Sequence, residues 1–348
     1  MLKDRILERI RTNGPISFEA YMEACLYDPE HGFFSAGDLR PGTGGDFITS
    51  PEVSPWFGRL IGRWAKPLIR DDSIVVEIGA GRGSLLAPMI DEAGVDTRRV
   101  YAVERSAASR DALGVLLPDG NVVDHIEALP AAGHAIVVLN EVLDNVPCRL
   151  VQVGDDGEWL EWLVGDHEGS LGLDRADVDG PLREWCDTFL RRSDPPLPPM
   201  VWLTAQTGAM WLLDRVVRQF GEISVCILDY GADTTELATR PFGHVVRTFR
   251  HHRAGLHYLA EPGDSDITVE VNTDTAMAAL PETAALSTQR DFLMALGAGD
   301  ILSALLELEH ERARAGDVMG QLKARSDATG LRALLDPNGL GGFIAITC

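Results

Sequence analysis

A chain of 348 residues of which 45% are hydrophobic carries enough apolar material for a large packed core, which excludes a natively disordered protein. No run of about 18 apolar residues occurs and the N-terminus alternates charge with Ile and Leu, so neither a membrane span nor a secretory leader is expected, and the cytoplasm is the expected compartment. A formal charge of −22 sets most of the surface against nucleic-acid phosphate and favours basic partners, although a solvated, salt-adapted surface would carry the same excess.

Leu2, Ile6 and Ile10, and then Phe18, Met22 and Leu26, recur at helical spacing and predict helices over 2–11 and 17–26, the second capped by Ser17. From about Asp28 to Pro55 the chain is rich in Gly, Pro, Asp and Ser, which predicts a long irregular stretch. Loops of that length are generally lids or disordered, and Phe33, Phe34, Phe47 and Ile48 argue for an ordered one. From Ser73 the texture becomes strand and helix in alternation: SIVVEIG, a helix near 84–93, RVYAVER, a helix near 106–116, NVV, and AIVVLNEVLD. That alternation predicts a parallel sheet with helices on both faces.

The stretch 149–164 reads as a hairpin around GDDG, and the proline cluster SDPPLPP precedes a helix near 208–220 that leads into the strand SVCILDYG. Helical stretches are expected around 274–280, 287–307 and 309–324, and GGFIAIT closes as a short strand. The expected organisation is an N-terminal helical segment and lid (1–72), a core (73–148), an insertion of hairpin and helix (149–205), the remainder of the core (206–250), a helical insertion (251–330) and a terminal core strand (331–348).

The most informative segment is VVEIGAGRGSL at 75–85. A buried strand ends there in Gly79, Gly81 and Gly83, and glycine is needed where a backbone must turn sharply and let a ligand approach without a Cβ in the way. Such a glycine turn alone is a weak signal, because nicotinamide-dependent enzymes use one too. Glu77, two residues before the first glycine, tilts the reading toward S-adenosylmethionine (SAM), since a carboxylate there can engage the methionine ammonium. Glu104, at the end of the second strand, is suited to accept both ribose hydroxyls, a feature the nicotinamide enzymes share.

Asp124 and His125 follow the third strand, where such domains meet the adenine edge, with an ordinary surface pair as the competing reading. The fourth strand runs into LNEVLDNVP, and its carboxyl end directs Asn140, Glu141 and Asp144 toward the cleft where open α/β sheets bind ligands. Glu141 would also suit a helix start. Five cysteines lie far apart without a CxxC pair, so neither a disulfide framework nor a zinc site is expected. His251 and His252, adjacent on a strand, would point to opposite faces, and no metal is expected from them.

On these stretches, together with GPISFEAYMEACLYDPEHGFF at 14–34, GDFITSPEVSPWFGRLIGRW at 45–64, RTFRHHRA at 247–254, EPGDSDIT at 261–268 and TQRDFLMALG at 288–297, the chain resembles the MidA-like SAM-dependent methyltransferases. That family includes a mitochondrial arginine methyltransferase acting in complex I assembly. The resemblance implies an α/β fold: a Rossmann-like class I SAM-dependent methyltransferase sheet with an N-terminal helical and lid segment and inserted substrate-binding elements. It implies SAM as cofactor and an arginine-bearing protein as substrate; composition gives no membrane partner, the charge disfavours nucleic acid, and a homodimer is left open.

The same resemblance has GDFITSPE packing over the cofactor cleft, which puts Ser50 and Pro51 beside the cofactor. Glu141 and Asp144 would then hold the acceptor guanidinium, with Asp46 and Glu52 assisting from the lid. A simple turn and helix cap at Ser50, Pro51 and Glu52 is the competing reading. The chain departs from the family pattern at VEVNTD, where an HVDF-like strand is usual, and at the close GLGGFIAITC. A small-molecule methyltransferase, a SAM-binding assembly factor without turnover and, further off, a nicotinamide oxidoreductase stay open on sequence.

Overall fold

The computed structural model describes residues 1–35, 49–191, 196–250, 253–254 and 257–348. Contacts divide the chain into two units, each entered three times: Met1–Phe47, Val142–Arg218 and Tyr230–Glu282 form the first, and Ile48–Glu141, Gln219–Asp229 and Thr283–Cys348 the second. The chain therefore changes unit at points other than the expected boundaries at 72, 148, 205, 250 and 330. Of the segment 206–250, only 219–229 belongs with the expected core.

The second unit is built on seven strands: β1 (Ser73–Ile78), β2 (Val100–Val103), β3 (Val122–Val123), β4 (His134–Asn140), β5 (Glu222–Asp229), β6 (Ala285–Thr288) and β7 (Ile344–Thr347). In space they run 3-2-1-4-5-7-6. Strands β1 to β5 pair in parallel, and β7 lies antiparallel between β5 and β6. Every residue of β1 is buried and so are the first six of β4, as expected of central strands covered on both faces.

The covering helices are α1 (Ser50–Val53), α2 (Trp56–Ala65), α3 (Leu86–Ala93), α4 (Ala107–Leu113), α5 (Gln289–Ala295), α6 (Ala298–Arg314) and α7 (Val318–Leu334). Phe57, Leu60, Ile61, Met89, Leu113, Ile136, Val138, Leu293 and Leu331 share one core with the sheet. Helices α2 and α3 approach closely through two glycines one turn apart. A Cβ on Gly58 would lie 2.5 Å from Pro88 Cγ, and one on Gly62 would lie 2.7 Å from the Met89 carbonyl oxygen.

Two expectations are corrected here. The helix expected over 287–307 begins as strand β6, and the break expected between 307 and 309 falls inside α6. The chain turns instead at Gly316 and Asp317, where Gly316 takes a φ of +71° and the Asp317 carboxylate caps α7 by accepting the Gly320 N–H.

The first unit carries a five-stranded antiparallel sheet. Arg149–Val153 and Trp159–His167 form the expected hairpin, with Leu150 opposite Trp162. Trp159–His167 also pairs with Ser170–Asp177 and Ile16–Ser17, and Trp202–Ala205 borders Arg149–Val153. Helices Leu2–Asn13 and Phe18–Tyr27 match their expected places, and Ser17 Oγ accepts the Ala20 N–H as the cap. Phe18, Tyr21, Met22, Leu26, Val164 and Ile267 meet in one core of this unit.

Candidate active site

Strand order reverses between β1 and β4, so the connections leave these neighbours in opposite directions and open a crevice at their carboxyl ends. The glycine turn begins there. Gly79, Gly81 and Gly83 have φ of +69°, +53° and +82°, a region that costs L residues roughly 1 kcal/mol or more. The Gly79 N–H donates to the Val103 carbonyl at 2.8 Å, tying the turn to β2. A Cβ on Gly81 would meet nothing within 4 Å, so at this point the backbone faces open space. A Cβ on Gly83 would lie 3.1 Å from Leu116 and 3.2 Å from Leu113, so the third glycine serves packing instead.

Two carboxylates flank this turn. Glu77, within β1, is 3% exposed, and its Oε2 has no hydrogen-bond partner. Burial pushes its carboxyl well above the usual range, and the charge of Glu104 pushes it further. Glu104, just past β2, accepts the Gly81 N–H on Oε2 and the Ser106 N–H on Oε1, each at 2.8 Å. Burial raises its carboxyl too, against these bonds. The Arg105 backbone N–H bonds this carboxylate as well, and with about four acceptor positions on its two oxygens Glu104 retains capacity for a further donor. Asp124 and His125 stand past β3 on the same edge of the sheet, exposed, with the His125 ring bonded to Asp124 Oδ1.

At the end of β4, Glu141 takes a φ of +50°, one of three non-glycine residues described with positive φ. Such a conformation persists only where its surroundings enforce it. Its N–H donates to the Leu228 carbonyl at 2.8 Å. Its Oε1 accepts the Ser50 N–H at 3.2 Å and the Asn140 Nδ2–H at 3.4 Å. Ser50 is fully buried at the first position of α1, with Thr49 as the N-cap and Pro51 and the half-buried Glu52 following. Both the helix-start geometry and a contact to Glu141 are thus present in this segment. Asp46, like His251 and His252, lies outside the described residues.

Asp144 belongs to the first unit, three positions along the chain from Glu141. It is 4% exposed, its Oδ2 accepts the Tyr230 hydroxyl at 2.6 Å, and its carbonyl accepts the Val269 N–H at 3.0 Å. Burial pushes its carboxyl up to about 6. The Arg247 guanidinium lies over the Tyr230 ring, 4.9 Å from its centre, and reaches Glu270 at 3.4 Å. Gln289 (below) was not expected as a site residue, although it stands in a stretch that carries the family resemblance, which was the available signal.

Among the described residues no cluster of three or more His, Cys, Asp or Glu side chains could hold a metal, and no helix is long and apolar enough to cross a membrane. All five cysteines are free, four of them buried.

An orphaned, buried carboxylate oxygen beside an open glycine turn fits a ligand that brings a cation to Glu77 and hydroxyls to Glu104. SAM, with its ammonium and its ribose, meets both demands. The parallel sheet with one reversed strand and this turn define a SAM-dependent methyltransferase of the class I fold. Residues 56–290 match the family model "Putative S-adenosyl-L-methionine-dependent methyltransferase", and the chain belongs to that family.

Its relatives include "Protein arginine methyltransferase NDUFAF7, mitochondrial" of Danio rerio, 27% identical over 352 residues, which cover 89% of this chain and 80% of that protein. The Caenorhabditis elegans homologue is 26% identical over 351 residues, with coverage of 89% and 80%. Among solved structures, a COG1565-superfamily member from Burkholderia thailandensis bound to S-adenosyl-homocysteine superposes with a TM-score of 0.79 at 24% identity, covering 99% of this chain and 91% of that one. A native COG1565-superfamily structure from the same organism gives 0.79 at 26%, covering 99% and 90%.

Proposed function

We propose that this methyltransferase modifies an arginine side chain of a protein partner. Glu141 is the observation that carries the reading: a carboxylate at the carboxyl end of β4, held in a strained backbone conformation and oriented by the N–H of Ser50. The arginine methyltransferase names of the relatives support the choice of acceptor, and the charge of −22 favours capture of a basic partner.

When bound, SAM supplies an electrophilic methyl on a sulfonium. In this reading Glu77 takes the methionine ammonium, Glu104 the ribose hydroxyls, and Asp124 with His125 the adenine edge, while the turn at Gly79–Gly81–Gly83 lets the ligand approach the backbone. Asn140, Ser50 and Pro51 border the methionine end. Glu141 holds the guanidinium so that one nitrogen faces the methyl carbon. With SAM bound, methyl transfer to that nitrogen would release S-adenosylhomocysteine, and the nitrogen would lose one proton during or after it, because a guanidinium is not deprotonated beforehand. The residues contribute alignment and charge.

The test is transfer of labelled methyl from SAM to proteins of a cell extract, followed by total hydrolysis and amino-acid analysis. Methylarginine is the expected product, and Glu141→Gln should slow its formation about a hundredfold with S-adenosylhomocysteine affinity retained. Label in other amino acids, or only in small molecules, would overturn the arginine reading.

A further inference from the structure

Gln289 is completely buried, yet all of its polar groups are engaged. It opens α5, and its backbone N–H donates to the Phe343 carbonyl at 2.7 Å. Its Nε2 donates to the carbonyl of Leu334, the last residue of α7, at 3.3 Å, satisfying a helix-end acceptor that has no partner within the helix. Its Oε1 accepts the hydroxyl of Ser50 at 3.4 Å. One side chain thus links the end of α7 to the start of α1.

A second contact fixes the same segment. Helix α7 approaches α1 at Gly330, where a Cβ would lie 2.9 Å from both the Val53 carbonyl oxygen and Ser54 Cβ. Packing alone would be served by an apolar residue of the size of Gln289, since burying an amide costs free energy unless both its ends are bonded. What the amide adds is direction. It holds the Ser50 hydroxyl, and Ser50 in turn aims its N–H at Glu141 Oε1.

We infer that Gln289 is a positioning residue for the Glu141 carboxylate, acting through Ser50, with the C-terminal helices α6 and α7 as the fixed support. The inference rests on the reading of Glu141 as the acceptor-facing carboxylate, but the geometry it claims is measurable without any acceptor. Leu334, Gln289, Ser50 and Glu141 form a chain of hydrogen bonds from the helical layer to the edge of the sheet.

The test follows the backbone amide of residue 50 by NMR in the full chain. Glu141→Gln should move this amide's proton resonance, because it replaces a charged acceptor with a neutral one. In Gln289→Leu, and independently in Ser50→Ala should the first variant not fold, the response to Glu141→Gln should be lost. S-adenosylhomocysteine affinity, measured by calorimetry, should persist in Gln289→Leu, showing an intact cofactor site. A merely structural Gln289 would shift the resonance yet leave its response to Glu141→Gln at full size, which would overturn the proposal. So would a residue-50 amide indifferent to Glu141→Gln in the wild-type background. A failure to find methylarginine would sink the proposed acceptor while leaving this result standing.

Discussion

The N–H of Gly81 donates to Oε2 of Glu104 at 2.8 Å, so an open point of the glycine turn is held in place by an acid that follows the neighbouring strand. The contact fixes a backbone that would otherwise be loose and leaves the space above Gly81 clear for a ligand. Gly81→Arg should fill that space. With nothing within 4 Å of the added Cβ, the folding penalty is set mainly by the φ of +53° and should stay near 1 kcal/mol. S-adenosylhomocysteine affinity should fall more than about a hundredfold by calorimetry. A variant that binds as tightly as wild type would move the cofactor away from this turn.

Glu77→Gln should separate stability from binding. Burial holds the folded-state carboxyl of Glu77 above its unfolded value, so its contribution to stability is present at low pH and is lost as pH rises through the folded value. Glutamine has no such dependence, and the ligand-free variant should melt higher than wild type at pH 8. Its affinity for S-adenosylhomocysteine should drop by about tenfold to a hundredfold, the worth of a charge-assisted hydrogen bond. Melting curves with and without ligand would show both effects, and an unchanged affinity would remove Glu77 from the ammonium site.

Asp144 should impose a pH dependence of its own. Its carboxyl stands at about 6 in the folded protein, against an ordinary value of 3.8. Stability should therefore be greatest below the ordinary value and decline by up to roughly 3 kcal/mol as pH rises from about 4 through about 6, an order-of-magnitude figure. Asp144→Asn should flatten that slope in urea titrations at pH 4, 5, 6 and 7. An equal slope in the variant would assign the dependence to other groups.

Gly58→Ala tests the packing of α2 on α3. Alanine improves helix propensity by about 1 kcal/mol, but here its Cβ would stand 2.5 Å from Pro88 Cγ and 2.6 Å from the Leu85 carbonyl oxygen. Overpacking of this kind costs about 1–3 kcal/mol, so the variant should lose stability on balance. A raised urea midpoint would mean that the two helices separate at little cost.

What sequence could reveal followed from how local each signal is. β1 and β4 announce themselves as unbroken apolar runs, and the glycine turn with its two acids is written within 30 residues of chain. Strand β6 is four residues with every side chain exposed, so no burial pattern marks it. Ser170–Asp177 is likewise half-buried or exposed throughout, and no continuous apolar run marks it. The break between α6 and α7 was legible in Gly316 and Asp317, a terminator followed by a cap, but apolar periodicity alone runs through it. Gln289 could not be read as a site residue from local pattern, because its three partners lie 45 or more residues away along the chain.

The reversed strand also sets an order on synthesis. β5 is complete at residue 229, but β7, its neighbour in the sheet, begins only at residue 344. At ribosomal speed those roughly 115 residues take between about 6 and 23 s, during which the β5 edge lacks its final partner. β6 emerges first, and since it ends up parallel to β5 it could dock on that edge directly, as the sixth strand does in a dinucleotide-binding sheet. Its brevity and lack of buried side chains make it a poor competitor, which leaves the edge vacant for β7. The weak strand hardest to recognise from sequence is thus also the one whose weakness protects the nascent chain from closing its sheet in the wrong order.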